Sequence, residues 1–319
     1  MRSALTSFTS GRAVARSLAL LTLLSSTAAL AQGDGPKAQL MMPVDANLVA
    51  PTYIDLSGNY NPSGSILVPG AEVKPTLGVL SYKRSFALGG RYAEFWLVPI
   101  YGDIEATGTV TDPRTGETVA LGVDSSGLGD PLVAFKLGLV GTQPMTLPEL
   151  ARTPQSFQLS AFVSASLPLG DYDSDRPLNI GTNVLALRFG APMVVPLGDP
   201  RTQTFLEIHP SVTFFEDNDD PNLGADTREQ DLLFAVESHL SRLLSRKFWG
   251  SLDLRYRRGG ETTTDGVSDD NEQDVLGGGV TLGYAITPRM GLQVSYGEVL
   301  TENDGSELEM IRLKWSLLF

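Results

Sequence analysis

Residues 310–319 read Met-Ile-Arg-Leu-Lys-Trp-Ser-Leu-Leu-Phe, the last ten residues of the sequence. Side chains of a β-strand alternate between its two faces. One face of this stretch is apolar and consists of Ile311, Leu313, Trp315, Leu317 and Phe319, while Arg312, Lys314 and Ser316 lie on the other. One face therefore suits lipid and the other suits water. Such a strand with a terminal aromatic residue is typical of outer-membrane β-barrels, in which closure removes the exposed sheet edge. An ordinary edge strand of a soluble sheet is the alternative.

The first 31 residues have the three parts of a secretory signal peptide. Three arginines give a basic start, residues 18–24 form a short apolar run, and Ala29-Leu30-Ala31 fits the small-x-small cleavage pattern before Gln32. The apolar run is too short to span a bilayer, and no later segment has the roughly 18 apolar residues that a transmembrane helix needs. We therefore expect an exported protein with three parts: a signal peptide (1–31), an N-terminal extension (32–48) and an outer-membrane β-barrel (49–319).

Composition narrows the possible functions. The sequence has no cysteine, which excludes disulfides and thiolate metal sites. Its net charge is −13 at pH 7, and loss of the three arginines of the signal peptide would leave −16. Nucleic acid is not an expected partner, because phosphate binding needs clustered Lys and Arg. We also predict no cofactor.

From residue 50 onward the chain consists of strand-length runs separated by Gly, Asp, Asn and Pro clusters, with no long segment of helical period. Twelve runs are predicted: 50–60, 75–86, 92–104, 128–140, 156–168, 181–195, 202–215, 229–240, 247–258, 273–285, 290–300 and 307–319. An even number places both termini on one side of a membrane. The sequence therefore predicts an all-β fold, a transmembrane antiparallel up-and-down β-barrel of about 12 strands.

The connections between the runs alternate in length and charge. Most of those after odd-numbered runs are long and acidic, such as 105–127 and 216–228. Those after even-numbered runs are short and basic, such as 287–289, with the exception of 141–155, which is long and is expected to hold a small helix near residues 147–151. Short periplasmic turns and longer outer loops are typical of bacterial barrels. We expect the barrel to contact outer-membrane lipid and lipopolysaccharide, and we expect Trp315 and Phe319 to form the C-terminal signal that the barrel assembly machinery reads.

Charged residues and the two histidines share one face of neighbouring runs. Glu207-Ile-His209 and Glu237-Ser-His239 each place a carboxylate and an imidazole on the same side of a strand. We predict that seven residues line the lumen: Glu207, His209, Glu237, His239, Asp253, Arg255 and Arg257. Two His and two Glu could bind a divalent cation, but hydrogen bonding among these residues is the favoured interpretation, so no metal site is predicted. No catalytic residue is predicted either, because Ser238 and His239 point to opposite faces of a strand.

A turn signal follows the fifth run. Within Ser-Leu-Pro-Leu-Gly-Asp-Tyr-Asp (166–173), Pro168 ends a strand, Gly170 permits the turn and Asp171 caps it. Together with Tyr172, these residues are predicted to shape the mouth of the barrel.

This segment, followed by Leu-Asn-Ile-Gly-Thr-Asn (178–183), resembles the motif of outer-membrane proteins of the family named for the meta-pathway of phenol degradation. The Gly-Leu-Gly-Asp-Pro stretch at 127–131 and the Val98-Pro99 pair are similar to further pieces of that family, whereas Leu169 stands where its members usually have Thr. The resemblance spans about residues 49–319. It implies a transmembrane barrel that admits aromatic or other apolar compounds, and it offers no catalytic residues.

The predicted function is an outer-membrane channel, not an enzyme, for passive uptake of small solutes, including aromatic or hydrophobic compounds. Opposed charges in a narrow lumen would favour small polar or weakly polar solutes. An apolar solute would need a lateral exit or an apolar internal pocket. Two alternatives stay open: a non-transporting surface protein, such as an adhesin or scaffold, and a barrel enzyme that modifies lipid.

Overall fold

The chain folds into a closed barrel. The computed structural model describes residues 33–59, 72–111, 118–176, 178–302 and 307–319, so the predicted signal peptide lies outside the described residues. The described residues form a closed antiparallel β-barrel of 12 strands. This confirms the fold class predicted from the period-two pattern.

The strands follow one another around the barrel with few helical elements. In chain order they are β1 (Asn47–Asn59), β2 (Glu72–Leu88), β3 (Arg91–Val98), β4 (Ile100–Thr111), β5 (Thr118–Leu128), β6 (Leu132–Val140), β7 (Gln158–Ser166), β8 (Ala186–Gly190), β9 (Met193–Leu197), β10 (Thr204–Phe215), β11 (Arg228–Gln230), β12 (Leu233–Leu243), β13 (Phe248–Gly259), β14 (Thr262–Thr264), β15 (Val267–Ser268), β16 (Gln273–Thr287), β17 (Met290–Thr301) and β18 (Glu307–Leu318). A short helix α1 (Leu147–Arg152) and two 3₁₀ turns (Pro200–Thr202 and Asn222–Gly224) lie in connections.

Three barrel strands are interrupted, and proline stands at each interruption. Pro99 separates β3 from β4, Pro131 lies between β5 and β6, and Pro192 lies between β8 and β9. Proline has no N–H to donate to the ladder, so each pair counts as one strand of the barrel with a break. The remaining β11, β14 and β15 form a separate three-stranded sheet in the long loops.

Pairing of the first and last strands closes the barrel. β1 pairs antiparallel with β18, from Leu48 opposite Leu318 to Asn59 opposite Glu307, and with β2 on its other side. The backbones of Asn47 and Phe319 exchange two hydrogen bonds, of 2.7 and 2.9 Å. The seam therefore leaves no free edge along β18.

The polarity of the barrel is the reverse of that of a soluble sheet. Outward-facing Leu252 and Leu282 are 61% and 62% exposed, whereas inward-facing Glu207 is 1% exposed. Placing an exposed leucine of this kind in hydrocarbon is worth about 1.5–3 kcal/mol relative to water. The surface is therefore matched to a lipid environment, as the alternation in β18 predicted.

Several predicted boundaries are wrong. The run predicted at 229–240 begins too early, because residues 228–230 form β11 in the separate sheet and the barrel strand β12 begins at Leu233. Residues 105–127 were predicted to be a long loop, but β4 continues to Thr111 and β5 begins at Thr118, and the two pair along their length. Residues 181–185 were assigned to a strand but belong to a segment that folds inward before β8. In β4, inward-facing Ala106 follows Ile104, the last residue of the predicted run, and continues the alternation past it.

The exceptional long connection on the short-turn side, which runs from 141 to 157, carries helix α1. Thr146 and Glu149 form a capping box at its start. Among the described residues, none of the helices has the length and apolar character needed to cross a membrane.

Candidate functional site

The predicted lumen residues lie inside the barrel on three adjacent strands. Glu207 and His209 belong to β10, Glu237 and His239 to β12, and Asp253, Arg255 and Arg257 to β13. Strand register places Glu237 opposite His209 on one side and Arg255 on the other. Nδ1 of His239 lies 2.8 Å from Oδ1 of Asp253, and Nε of Arg255 lies 3.5 Å from Oε1 of Glu237. Pairing among these side chains therefore accounts for part of the cluster.

The two glutamates also hold a stretch of backbone inside the lumen. Residues 33–46, called here the plug segment, run through the interior without regular secondary structure. Glu207 accepts hydrogen bonds from the backbone N–H groups of Lys37 (2.7 Å) and Gln39 (3.1 Å). Glu237 accepts one from the N–H of Asp34 (2.9 Å). These carboxylates satisfy backbone groups that would otherwise be unpaired in a buried, irregular segment.

Basic side chains bind the carbonyl groups of the plug segment. The donor and acceptor pairs are Lys83 Nζ to the oxygen of Ala38 (3.1 Å), Lys136 Nζ to that of Gln39 (3.2 Å) and Arg312 Nη1 to that of Gly33 (3.4 Å). Acidic residues of β10 and β12 thus take the N–H groups, and basic residues of β2, β6 and β18 take the carbonyls. The plug segment is fastened from opposite sides of the barrel.

Asp34 is an acidic residue of the plug segment whose side chain contacts charged and polar residues of the barrel interior. Its carboxylate lies 2.8 Å from Nδ1 of His209 and 3.5 Å from Nη1 of Arg188, and it accepts a hydrogen bond of 2.8 Å from Gln39. Burial by itself would raise the pKa of Asp34, but the charge of Arg188 and the hydrogen bond with His209 outweigh burial and hold that pKa well below its ordinary value. Asp34 is therefore a charged anchor.

A second buried ion pair lies on the neighbouring wall. Lys136 Nζ is 3.0 Å from Oε1 of Glu94, and both side chains are 1% exposed. Trp96 Nε1 donates to Oε2 of Glu94 at 2.7 Å, and the hydroxyl of Tyr92 donates to Glu94 as well. The Tyr92 oxygen accepts the backbone N–H of Met42 at 2.8 Å, so this network also anchors the plug segment.

Sequence reasoning gave residues 32–48 as an N-terminal extension without placing them in the lumen, and it did not include these wall residues among the predicted lumen residues. The signal was present for the wall: Tyr92, Glu94 and Trp96 alternate in a predicted strand, and so do Arg312 and Lys314 in β18. Alternation shows which residues share a face. It contains no information on an irregular segment such as 33–46, whose interior position depends on partners that are distant in sequence.

Part of the lumen is apolar, which the sequence did not show. Inward-facing residues of β1, β2 and β4 form two buried clusters, called here the apolar wall: Ile54, Leu56, Leu77, Val79 and Ile100 in one, and Val73, Ile104 and Ala106 with Leu178 and Ile180 in the other. Leu178 and Ile180 come from the connection between β7 and β8. An apolar internal surface, one of the two features that an apolar solute was expected to need, is therefore present.

The predicted mouth motif holds that connection in place. After Pro168, the N–H of Gly170 donates to Oδ1 of Asp130 at 2.9 Å. Oδ2 of Asp171 accepts the N–H of Leu128 at 2.6 Å, and the hydroxyl of Tyr172 donates to the carbonyl of Asp220 at 2.8 Å. The motif joins the connection to the interruption between β5 and β6 and to a neighbouring loop.

Beside the plug segment the lumen contains a cavity of about 140 Å³. Its lining combines charged Glu237, Arg255 and Arg312 with apolar Leu56 and Met310. In the part of the chain that the structure describes, no group of three or more His, Asp or Glu residues is arranged to hold a metal ion. The geometry offers a partly apolar, partly charged passage that is narrowed by the plug segment.

Comparison with known proteins identifies the family. Residues 57–314 match the family model described as "Putative MetA-pathway of phenol degradation", and the chain belongs to this family. It is similar in structure to an outer-membrane channel of Pseudomonas putida, with a TM-score of 0.73, 21% identity, and coverage of 89% of this chain and 99% of that one. The β-domain of the Bordetella autotransporter BrkA gives a TM-score of 0.51 at 11% identity, with coverage of 86% and 100%. No curated protein sequence matches this chain.

Proposed function

We propose that this member of the family is an outer-membrane channel for the passive uptake of small compounds with an apolar, for example aromatic, body. The observation that carries the proposal is the apolar wall. A channel for hydrophilic solutes has no use for Ile54, Leu56 and Val79 of this wall in the lining of its lumen cavities, because an apolar lining disfavours hydrated solutes. The outer-membrane channel of Pseudomonas putida has the same fold, which supports a channel function for this protein.

In such a channel, two regions of the lumen have different roles. The apolar wall faces the half of the barrel nearer the outer loops, where an apolar solute exchanges water for side chains. The plug segment and its charged partners fill the other half and restrict the free passage of ions. A solute that passes the wall must then move along or displace the plug segment.

The test is uptake of a radiolabelled small aromatic compound by cells that express the protein, compared with cells that carry the empty vector. The informative variant is Val73→Thr with Val79→Thr, which adds two hydroxyl groups to the apolar wall. Val280→Thr with Val294→Thr makes the same change on the lipid face, where these residues are 49% and 52% exposed. Faster uptake than the vector, reduced by the wall variant and retained by the lipid-face variant, supports the proposal. Uptake equal to that of the vector overturns it.

We infer that the protein reaches the outer membrane through removal of residues 1–31. The position of Gly33 supports this, because its carbonyl binds Arg312 inside the lumen, where an attached leader would have to share the space. We also infer contact with lipopolysaccharide around the rim and recognition of Trp315 and Phe319 by the assembly machinery. Intact mass of the membrane-extracted protein tests the first inference: a chain that begins at Gln32 is expected, and a full-length chain contradicts it.

A further inference from the structure

A cavity beside the plug segment has an unbalanced charge. Its charged lining consists of one acidic residue, Asp34, and four basic residues, Lys83, Arg188, Arg312 and Lys314. Asp34 is already engaged by Arg188 and His209. The cavity is left with three cationic groups on β2 and β18.

These three groups lack carboxylate partners. Lys83 donates to the carbonyl of Ala38, and its ammonium lies 3.4 Å from the centre of the Trp96 ring. Arg312 donates to the carbonyl of Gly33. Within the described residues, no carboxylate oxygen lies within 4.0 Å of Lys83, Arg312 or Lys314. The hydrogen bonds of Lys83 and Arg312 go to neutral groups, which do not offset their positive charge.

Such a cluster is costly without a counter-charge. Arg312 and Lys314 are two residues apart on the same face of β18, so their charges repel each other across the cavity. Unpaired charge in a protein interior is unfavourable, and an anion that enters gains charge-assisted hydrogen bonds. The cluster is therefore prepared for an anionic group.

The rest of the lining specifies what the anion carries. Ile54, Val79, Trp96, Val98 and Leu132 contribute apolar surface to the same cavity. A small inorganic anion would leave this surface in contact with water, whereas an aromatic ring or a short alkyl chain would cover it. The cavity has a volume of about 100 Å³ and shares the lining residues Gly33 and Arg312 with the larger lumen cavity.

We propose that Lys83, Arg312 and Lys314 bind the carboxylate of a small apolar acid, such as an aromatic acid, with its ring against Val79 and Trp96. This names a substrate class for the channel and so rests on the proposed function. Ile54 and Val79 belong both to the apolar wall and to this cavity, which places the site on the solute's path. An acid would reach the cationic cluster after leaving the apolar wall.

Calorimetric titration of the purified full-length protein with benzoate, benzyl alcohol and acetate tests the site. Benzoate is expected to bind, while the neutral alcohol and the acid without a ring bind at least tenfold more weakly. Lys314→Gln should weaken benzoate binding about tenfold, because a charge-assisted contact is lost. Lys314→Arg should retain binding. Lys74→Gln, which removes an exposed lysine of β2, should leave binding unchanged.

Three results would overturn the site: benzyl alcohol that binds as well as benzoate, acetate that binds as well as benzoate, or Lys314→Gln that binds like the unaltered protein. Heat-modifiable gel migration shows that each variant is folded. Uptake of a neutral aromatic compound without benzoate binding refutes the site alone. Benzoate binding without any uptake refutes the channel and leaves the site intact.

Discussion

The plug side of the lumen and the apolar wall are both built on alternating strands, and β2 contributes to both, yet their inward-facing residues differ in kind. Glu207, Glu237, Lys83 and Lys136 face irregular backbone that has no ladder to satisfy it. The apolar wall faces apolar side chains, such as Leu178 and Ile180 of the connection between β7 and β8. The difference teaches that polarity inside this barrel follows the hydrogen-bonding needs of what occupies it.

Deletion of the plug segment is expected to have the largest effect on the lumen. Deletion of residues 33–46, with the signal peptide kept in front of Asn47, should raise single-channel conductance severalfold in planar bilayers. The lumen then loses its obstruction, and the charged groups that held the backbone become available to hydrated ions. A folded deletion variant with the conductance of the full protein would show that the plug segment does not limit the passage.

Weakening one anchor should have a smaller effect of the same kind. Glu207→Gln replaces a carboxylate that accepts two backbone N–H groups with an amide that has one acceptor oxygen. The binding of the plug segment inside the lumen should be weakened by about 1–3 kcal/mol, which is measured as more frequent steps to the open-state current. Glu105→Gln, on the outward face of β4, is the matched control. Equal opening rates in the two variants would show that Glu207 does not hold the plug segment in place.

The apolar wall can be disturbed through the connection that covers it. A Cβ at Gly170 would lie 2.8 Å from the backbone nitrogen of Asp130, so Gly170→Ala should displace the connection that carries Leu178 and Ile180. The expected cost is about 1–3 kcal/mol, measured as a lower temperature of the heat-modifiability transition. Gly122→Ala meets no atom within 4 Å and should leave the transition unchanged. An unchanged transition in Gly170→Ala would show that the connection has room to move.

The smallest expected effect is a pH dependence of how tightly the plug segment binds in the lumen, called here seating. Burial lowers the pKa of Lys37 from 10.5 to about 8, against the opposing charge of Glu207. Seating therefore carries the full cost of a buried ammonium below pH 8, and the cost is relieved as Lys37 loses its proton between pH 8 and 10.5. The open fraction of single channels should fall across this window. Lys37→Met should abolish that fall, and an identical slope in the variant would assign it to another group.

Much of the fold could be predicted because alternation is a local property of the chain. The run predicted at 273–285 is β16, and that at 290–300 is β17, each within two residues of its observed ends. The breaks at Pro99 and Pro131 were not predicted, because a proline at a break resembles a proline at the end of a strand.

The candidate site was predictable only in part. The inward position of His209 and Glu237 follows from their spacing, and the structure brings these two residues opposite each other. Their partners do not follow from it, since Asp34 is 175 residues from His209 and 203 from Glu237. The apolar wall was missed because alternation alone does not show which face of a strand points inward: in β4, Ile104 and Ala106 face the lumen, whereas Glu105 between them faces outward.

The anchoring of residues 33–46 has a consequence for how the molecule forms. Their contacts come from β2 and β6 in the first half of the chain, from β10 and β12 beyond its middle, and from β18 at its end. No fragment shorter than the whole barrel assembles this set of partners. The plug segment can therefore acquire its full set of contacts only once β18 has joined the barrel, and its ordering reports a late stage of assembly.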